Sequence, residues 1–142
     1  MPWIPPRIST HEIMKTIVRY FGRLYLALAW TLVILVLLSL PGSMIPKEQG
    51  FAVPNFDKIV HFGLFGGFVL LWSLYSKAKN WPDKKLLRRF FLIFVIACLY
   101  GTSMEYAQLY LIPQRDFEVG DILADVVGAA SAYGFCNILL VG

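Results

Sequence analysis

The run Leu24 to Leu40, LYLALAWTLVILVLLSL, carries no charged residue and is about as long as a membrane hydrocarbon core is thick. Three further apolar runs follow at Asp57 to Ser76, Phe90 to Ile112 and Asp121 to Val141. The fourth is the weakest, because Asp121, Asp125 and Asn137 interrupt it. Lipid offers backbone N–H and C=O groups no partner, so such runs must satisfy their own hydrogen bonds as helices. The composition agrees. The chain is 58% hydrophobic and 15% charged, with mean hydropathy +0.63, against about 45–50% and about 25% in soluble domains. The expected fold is an all-α membrane protein, a four-transmembrane-helix bundle with spans at about 24–40, 57–76, 90–112 and 121–141. The first run is too long for the usual h-region of about 7–15 residues, and no A-x-A-like site follows it, so it reads as a retained helix and not a signal peptide.

Residues 1–23 form a cytoplasmic or interfacial N-terminal segment, and 24–142 the membrane domain. The prolines in MPWIPPRIS delay the first helix, and Ser9 or Thr10 is placed to cap it, with Glu12 in its first turn. Between His11 and Arg23, Ile13, Ile17, Tyr20 and Phe21 recur at helical spacing among Lys15, Arg19 and Arg23. This is the pattern of an amphipathic helix at the interface, or of a cytoplasmic extension of the first span. The segment 41–56, rich in Pro and Gly, reads as a loop, and so does Lys77 to Arg89.

Charge sets the expected orientation. Arg7, Lys15, Arg19, Arg23, Lys77, Lys79, Lys84, Lys85, Arg88 and Arg89 fall on one side of a four-span topology. Only Lys47, Lys58 and Arg115 fall on the other. Both termini are therefore expected in the cytoplasm. The net charge of +4 belongs to that face and to anionic lipid, so nucleic acid is not an expected partner. Cys98 and Cys136 sit inside apolar runs without ligand-like spacing and read as packing residues.

Helix direction brings the remaining polar groups together. Spans two and four run inward from the outer surface, with Asp57, His61, Asp121 and Asp125 in their first two turns. Span three runs outward and places Glu105 roughly 10 Å below its end. Gln108 lies one turn nearer the surface, and Arg115 in the loop above. An ionisable residue within a span costs about 2.5–3.5 kcal/mol on insertion scales, so it is a candidate for function. Asp57 and Asp121 also suit helix starts, where the dipole favours negative charge. Asp57 and His61, four residues apart, share a face and are expected to pair. Glu105, His61 and Asp57 are the candidate proton-handling groups; Gln108, Arg115, Asp121 and Asp125 are the candidate substrate contacts. The spacing matches no metal motif, and no metal or cofactor is expected. Gly63, Gly66 and Gly67 mark a packing face. Asp57-x-x-x-His61 and Asp121-x-x-x-Asp125 both open inward spans ahead of small residues, the pattern of two helical hairpins in parallel repeat.

At these residues the chain resembles the VanZ-like family of small bacterial membrane proteins. The resemblance rests on Asp57-Lys58…His61-Phe62, on Glu105-x-x-Gln108 followed by Arg115 and Asp121, and on Gly128. It covers roughly Leu24 to the C-terminus. One departure is Asp125, where the family usually has Asn. The family's namesake is linked to teicoplanin resistance. The resemblance thus implies a multi-pass protein of the bacterial cytoplasmic membrane, concerned with the cell envelope and antibiotic resistance. The expected function is to bind or act on an amphiphilic envelope molecule: a lipid, a cell-wall precursor or a lipoglycopeptide antibiotic. A non-catalytic partner subunit is the second reading, and a proton- or cation-coupled carrier, with a homo-oligomer supplying the pathway, is the third.

Overall fold

A computed structural model describes residues 9–44 and 55–141. Among these residues it is all-helical: α1 (Thr10–Phe21), α2 (Leu24–Leu38), a short 3-10 turn (Gly42–Met44), α3 (Phe56–Lys77), α4 (Asp83–Leu111) and α5 (Val119–Leu140). Arg7, Lys47, Glu48 and most of the loop expected at 41–56 lie outside the described residues.

The start of α1 follows the sequence. Ser9 is its N-cap, and the Ser9 hydroxyl accepts the Glu12 N–H at 3.3 Å. Met14, Ile17 and Val18 turn inward, whereas Ile13, Tyr20 and Phe21, expected on the apolar face with Ile17, stay exposed. The chain then bends by 65° into α2. Gly22 makes this corner tight: a Cβ there would lie 2.8 Å from the Leu74 carbonyl oxygen and 2.9 Å from the Ala78 Cβ. α2 alone rises only about 22 Å, short of a core about 30 Å thick. So α3, α4 and α5 are each long and apolar enough to cross a membrane, and among the described residues a fourth span exists only if α1 and α2 are one bent crossing.

One expected loop is partly helix. The charge of residues 77–89 predicts a connection throughout, but α4 begins at Asp83, directly after Pro82 in the N-cap position. Lys84, Lys85, Arg88 and Arg89 are good helix formers, and they continue the span beyond its apolar part. Trp81 caps this extension, with Lys85 Nζ 4.0 Å and the Arg89 guanidinium 4.9 Å from its ring.

α3 is the central helix and packs on α1, α2, α4 and α5. Glycine decides how closely. A Cβ on Gly66 would come within 3.2 Å of the Gly128 carbonyl oxygen, and one on Gly128 would collide with the Phe62 carbonyl. α3 and α5 therefore meet backbone to backbone. Gly67 makes room for the Trp30 ring, whose Nε1 donates to the Leu64 carbonyl at 2.8 Å. Gly63, expected on the same packing face, meets open space instead. Phe65, Phe90, Ile34, Leu86 and Val69 fill the interior. Many of the most exposed side chains are apolar, Ile138 at 80% and Leu99 at 64% among them. A surface of that kind suits lipid and not water.

The far ends of α2 and α4 are tied together. The Gln108 side-chain amide donates to the Leu38 carbonyl at 2.9 Å, and the Gly42 N–H donates to the Pro113 carbonyl at 3.1 Å. The first bond supplies a partner to one of the carbonyls that the last turn of a helix leaves free.

Candidate functional site

The polar groups of three helices converge at the end of the bundle where α3 and α5 begin and α4 ends. His61, Glu105, Gln108, Asp121 and Asp125 are all buried. The close approach of α3 and α5 at Gly66 and Gly128 brings Asp125 to His61, with Asp125 Oδ1 at 2.9 Å from Nδ1. An ionised carboxylate only accepts, so Nδ1 then carries the hydrogen, and in the neutral ring Nε2 keeps its lone pair. The nearest partner of Nε2 across the cluster is Asp121 Oδ2 at 3.8 Å, beyond hydrogen-bond length.

Glu105 has two different oxygens. Oε2 accepts the backbone N–H of Glu118, the N-cap residue of α5, at 3.1 Å. Oε1 is buried with no hydrogen-bond partner, and so is Asp125 Oδ2. One ligand atom each from His61, Glu105 and Asp121 lies within 4.8 Å of the other two.

A second acidic group lies just outside. Lys58 Nζ sits among Asp57 at 3.0 Å, Glu118 at 2.8 Å and Asp121 at 3.2 Å. Asp121 thus belongs to both groups. The expected pairing of His61 with Asp57 is not the one formed. Asp57, though on the same helix, bonds its neighbour Lys58 and is 47% exposed, while His61 is taken by Asp125 from α5. Side-chain spacing along one helix does not reveal which neighbouring helix comes closest.

The structure therefore brings together His61, Glu105, Asp121 and Asp125, with Asp57 at the rim through Lys58. Gln108 is next to them but holds the end of α2. Arg115 stays apart: it is half-buried, its Nε has no partner, and among the described residues no carboxylate is within ion-pair distance of it. Two members escaped the sequence reading. Lys58 enters the sequence argument only through topology and the family resemblance, although a lysine beside Asp57 at the head of a span is itself a signal for the site. Gly101 was not singled out at all. A Cβ there would lie 2.5 Å from Asp125 Oδ2, so its missing side chain makes the space that Asp125 occupies.

A separate cleft of about 1000 Å³ opens between α2, α3 and α4, lined by Phe68, Trp72, Tyr75 and Ile96 among others, with Lys79 and Arg89 at one end. It contains none of the acidic cluster. It faces the side of α4 that bears Ser103 and Tyr100, not the side that bears Glu105.

Compared with known proteins, residues 9–140 match the profile of the VanZ/LLP1 family, which is nearly the whole chain. No curated protein and no solved structure matches.

Proposed function

The chain belongs to the VanZ/LLP1 family, and on that premise we propose that it works in the bacterial cytoplasmic membrane, where its buried acidic cluster binds or acts on an amphiphilic envelope molecule at the outer face. The orientation in this reading comes from the basic residues gathered at the opposite end of the bundle. Parallel repetition of two helical hairpins is part of the same proposal; superposing α2–α3 on α4–α5 tests it, and should bring Asp57 onto Asp121 within about a helical turn.

The observation that carries the reading is Glu105, fully buried with one oxygen unpartnered, beside a histidine that a second carboxylate orients. Asp125 holds the His61 tautomer, so Nε2 is available as a base. Glu105 is the second proton-handling group, and Asp57 reaches the site only through Lys58. Arg115, which pairs with no carboxylate among the described residues, is the contact for a phosphate or carboxylate headgroup. Lys58 is already surrounded by three acids and is less suited to that role.

The Glu105–Glu118 bond favours a second reading, in which the cluster only fastens α5 to α4 in a non-catalytic partner subunit. Glu105→Gln separates the two, because glutamine still accepts the Glu118 N–H but carries no charge. With normal folding and protein level, the first reading expects loss of tolerance to envelope-directed antibiotics; unchanged tolerance refutes it. Ion flux in liposomes, lost in the same variant, would instead identify a proton- or cation-coupled carrier.

A further inference from the structure

We infer that the cluster is a binding site for one divalent transition-metal ion, Zn2+ or Mn2+, with His61, Glu105 and Asp121 as ligands and Asp125 as the residue that orients the histidine. This deepens the proposed envelope site and rests on the same side chains; with the ion bound, His61 Nε2 and Glu105 serve as its ligands in place of their proton-handling roles.

The geometry is the first argument. His61 Nε2 and Asp121 Oδ2 are 3.8 Å apart, and one ligand atom each from His61, Asp121 and Glu105 lies within 4.8 Å of the other two. An ion bonded at about 2.0–2.2 Å joins atoms up to roughly 4.3 Å apart, so a small rotation of the carboxylates closes the site. The outer surroundings of the histidine agree. A metal-binding imidazole almost always donates its other N–H to a carboxylate or carbonyl, and Asp125 is placed for this at 2.9 Å.

The second argument is independent of the spacing. Glu105 is 0% exposed and its Oε1 has no partner. A buried carboxylate oxygen without a partner is costly. The cluster and its rim bring five carboxylates (Asp57, Glu105, Glu118, Asp121 and Asp125) against Lys58 and His61. Lys58 bonds only the outer three, so Glu105 and Asp125 lack a fixed cation. A divalent ion bound by Glu105, Asp121 and Nε2 supplies the missing positive charge at the point of greatest excess. The imidazole ligand decides the class of ion. Ca2+ and Mg2+ prefer oxygen alone, whereas one nitrogen with carboxylates suits Zn2+ and Mn2+.

The test uses the full chain, purified in detergent and stripped with a chelator. Zn2+ is titrated against a chromophoric chelator, and Mn2+ by electron paramagnetic resonance of the free ion. One saturable equivalent per chain is expected, with spin-echo modulation from a single imidazole nitrogen. His61→Ala and Glu105→Gln should each weaken binding at least about 10-fold, and Asp125→Asn about 10–100-fold, the usual range for an outer partner of a metal ligand. Asp83→Asn, an exposed acid at the other end of α4, should leave binding unchanged. If His61→Ala does not fold, Asp125→Asn and Glu105→Gln retain the shape of the site and decide the matter. No saturable equivalent, or equal binding in wild type and in Glu105→Gln and Asp125→Asn, overturns the inference. The metal is the only probe, so the two proposals fail separately. Metal binding lost in Glu105→Gln without a change in antibiotic tolerance would sink the envelope reading alone. Tolerance lost in Glu105→Gln, with no metal bound by the wild-type protein, would sink the metal site alone.

Discussion

Replacing Gly101 with alanine adds one methyl group at the point where α4 meets Asp125. The new Cβ would stand 2.5 Å from Asp125 Oδ2, 3.0 Å from Cγ and 3.1 Å from Cβ. Ordinary contact begins near 3.4 Å, so the carboxylate must retreat by roughly 0.9 Å against a well-packed interior. It has little freedom to do so, because Oδ1 is bonded to His61 at 2.9 Å. Overpacking costs about 1–3 kcal/mol, and loss of a hydrogen bond to a charged group about 1.5–3 kcal/mol. Alanine returns about 0.5–1 kcal/mol as the better helix former. Gly101→Ala should therefore destabilise the protein by about 2–5 kcal/mol. Equilibrium unfolding of the detergent-solubilised protein, followed by circular dichroism, measures this. The same change made in an Asp125→Ser background should cost less, because the closest contact, with Oδ2, is gone while the one with Cβ remains; a double-mutant cycle gives the coupling. If Gly101→Ala is as stable as wild type, or costs the same in both backgrounds, then Gly101 is not what holds the space for Asp125.

Gly128→Ala should cost at least about 1–3 kcal/mol, since its Cβ meets the Phe62 backbone, which cannot yield. Gly63→Ala, facing open space, should stay within about 0.5 kcal/mol in the same unfolding assay. Gln108→Leu should cost about 1 kcal/mol, within the range for hydrogen bonds in membrane bundles, and should loosen the end of α2 as seen by hydrogen exchange near Leu38. Lys58→Met leaves Asp57, Glu118 and Asp121 without their shared cation. Its loss of thermal stability should be largest at low ionic strength and shrink in high salt, which screens the partly exposed acids from one another; a loss independent of salt would contradict the ion-pair account.

Much of the architecture was legible because it follows from local rules. Uncharged apolar runs and the demand for internal backbone bonding made the chain helical and membrane-like. The ends of α3 and α5 fell within one or two residues of their apolar runs. The start of α4 did not, because charged residues that suit a loop also suit a helix leaving the membrane. Where the first span was expected, the sequence showed hydrophobicity but not the 65° bend at Gly22. That bend depends on how near α3 passes, which no local pattern records.

The sequence by itself determined that acids from α3, α4 and α5 would collect at one end of the bundle, since helix direction and position along each run are enough to place them there. Only the tertiary structure decided who their partners are. Rotation of each helix about its axis, set by the Gly66–Gly128 contact and the space at Gly101, put Asp125 rather than Asp57 on His61. The same rotation gave Lys58 to the outer acids, Gln108 to the end of α2, and left one oxygen of Glu105 unpartnered. Those choices are settled by distances of an ångström or two between helices far apart in the chain, and the spacing of residues within one helix carries no record of them.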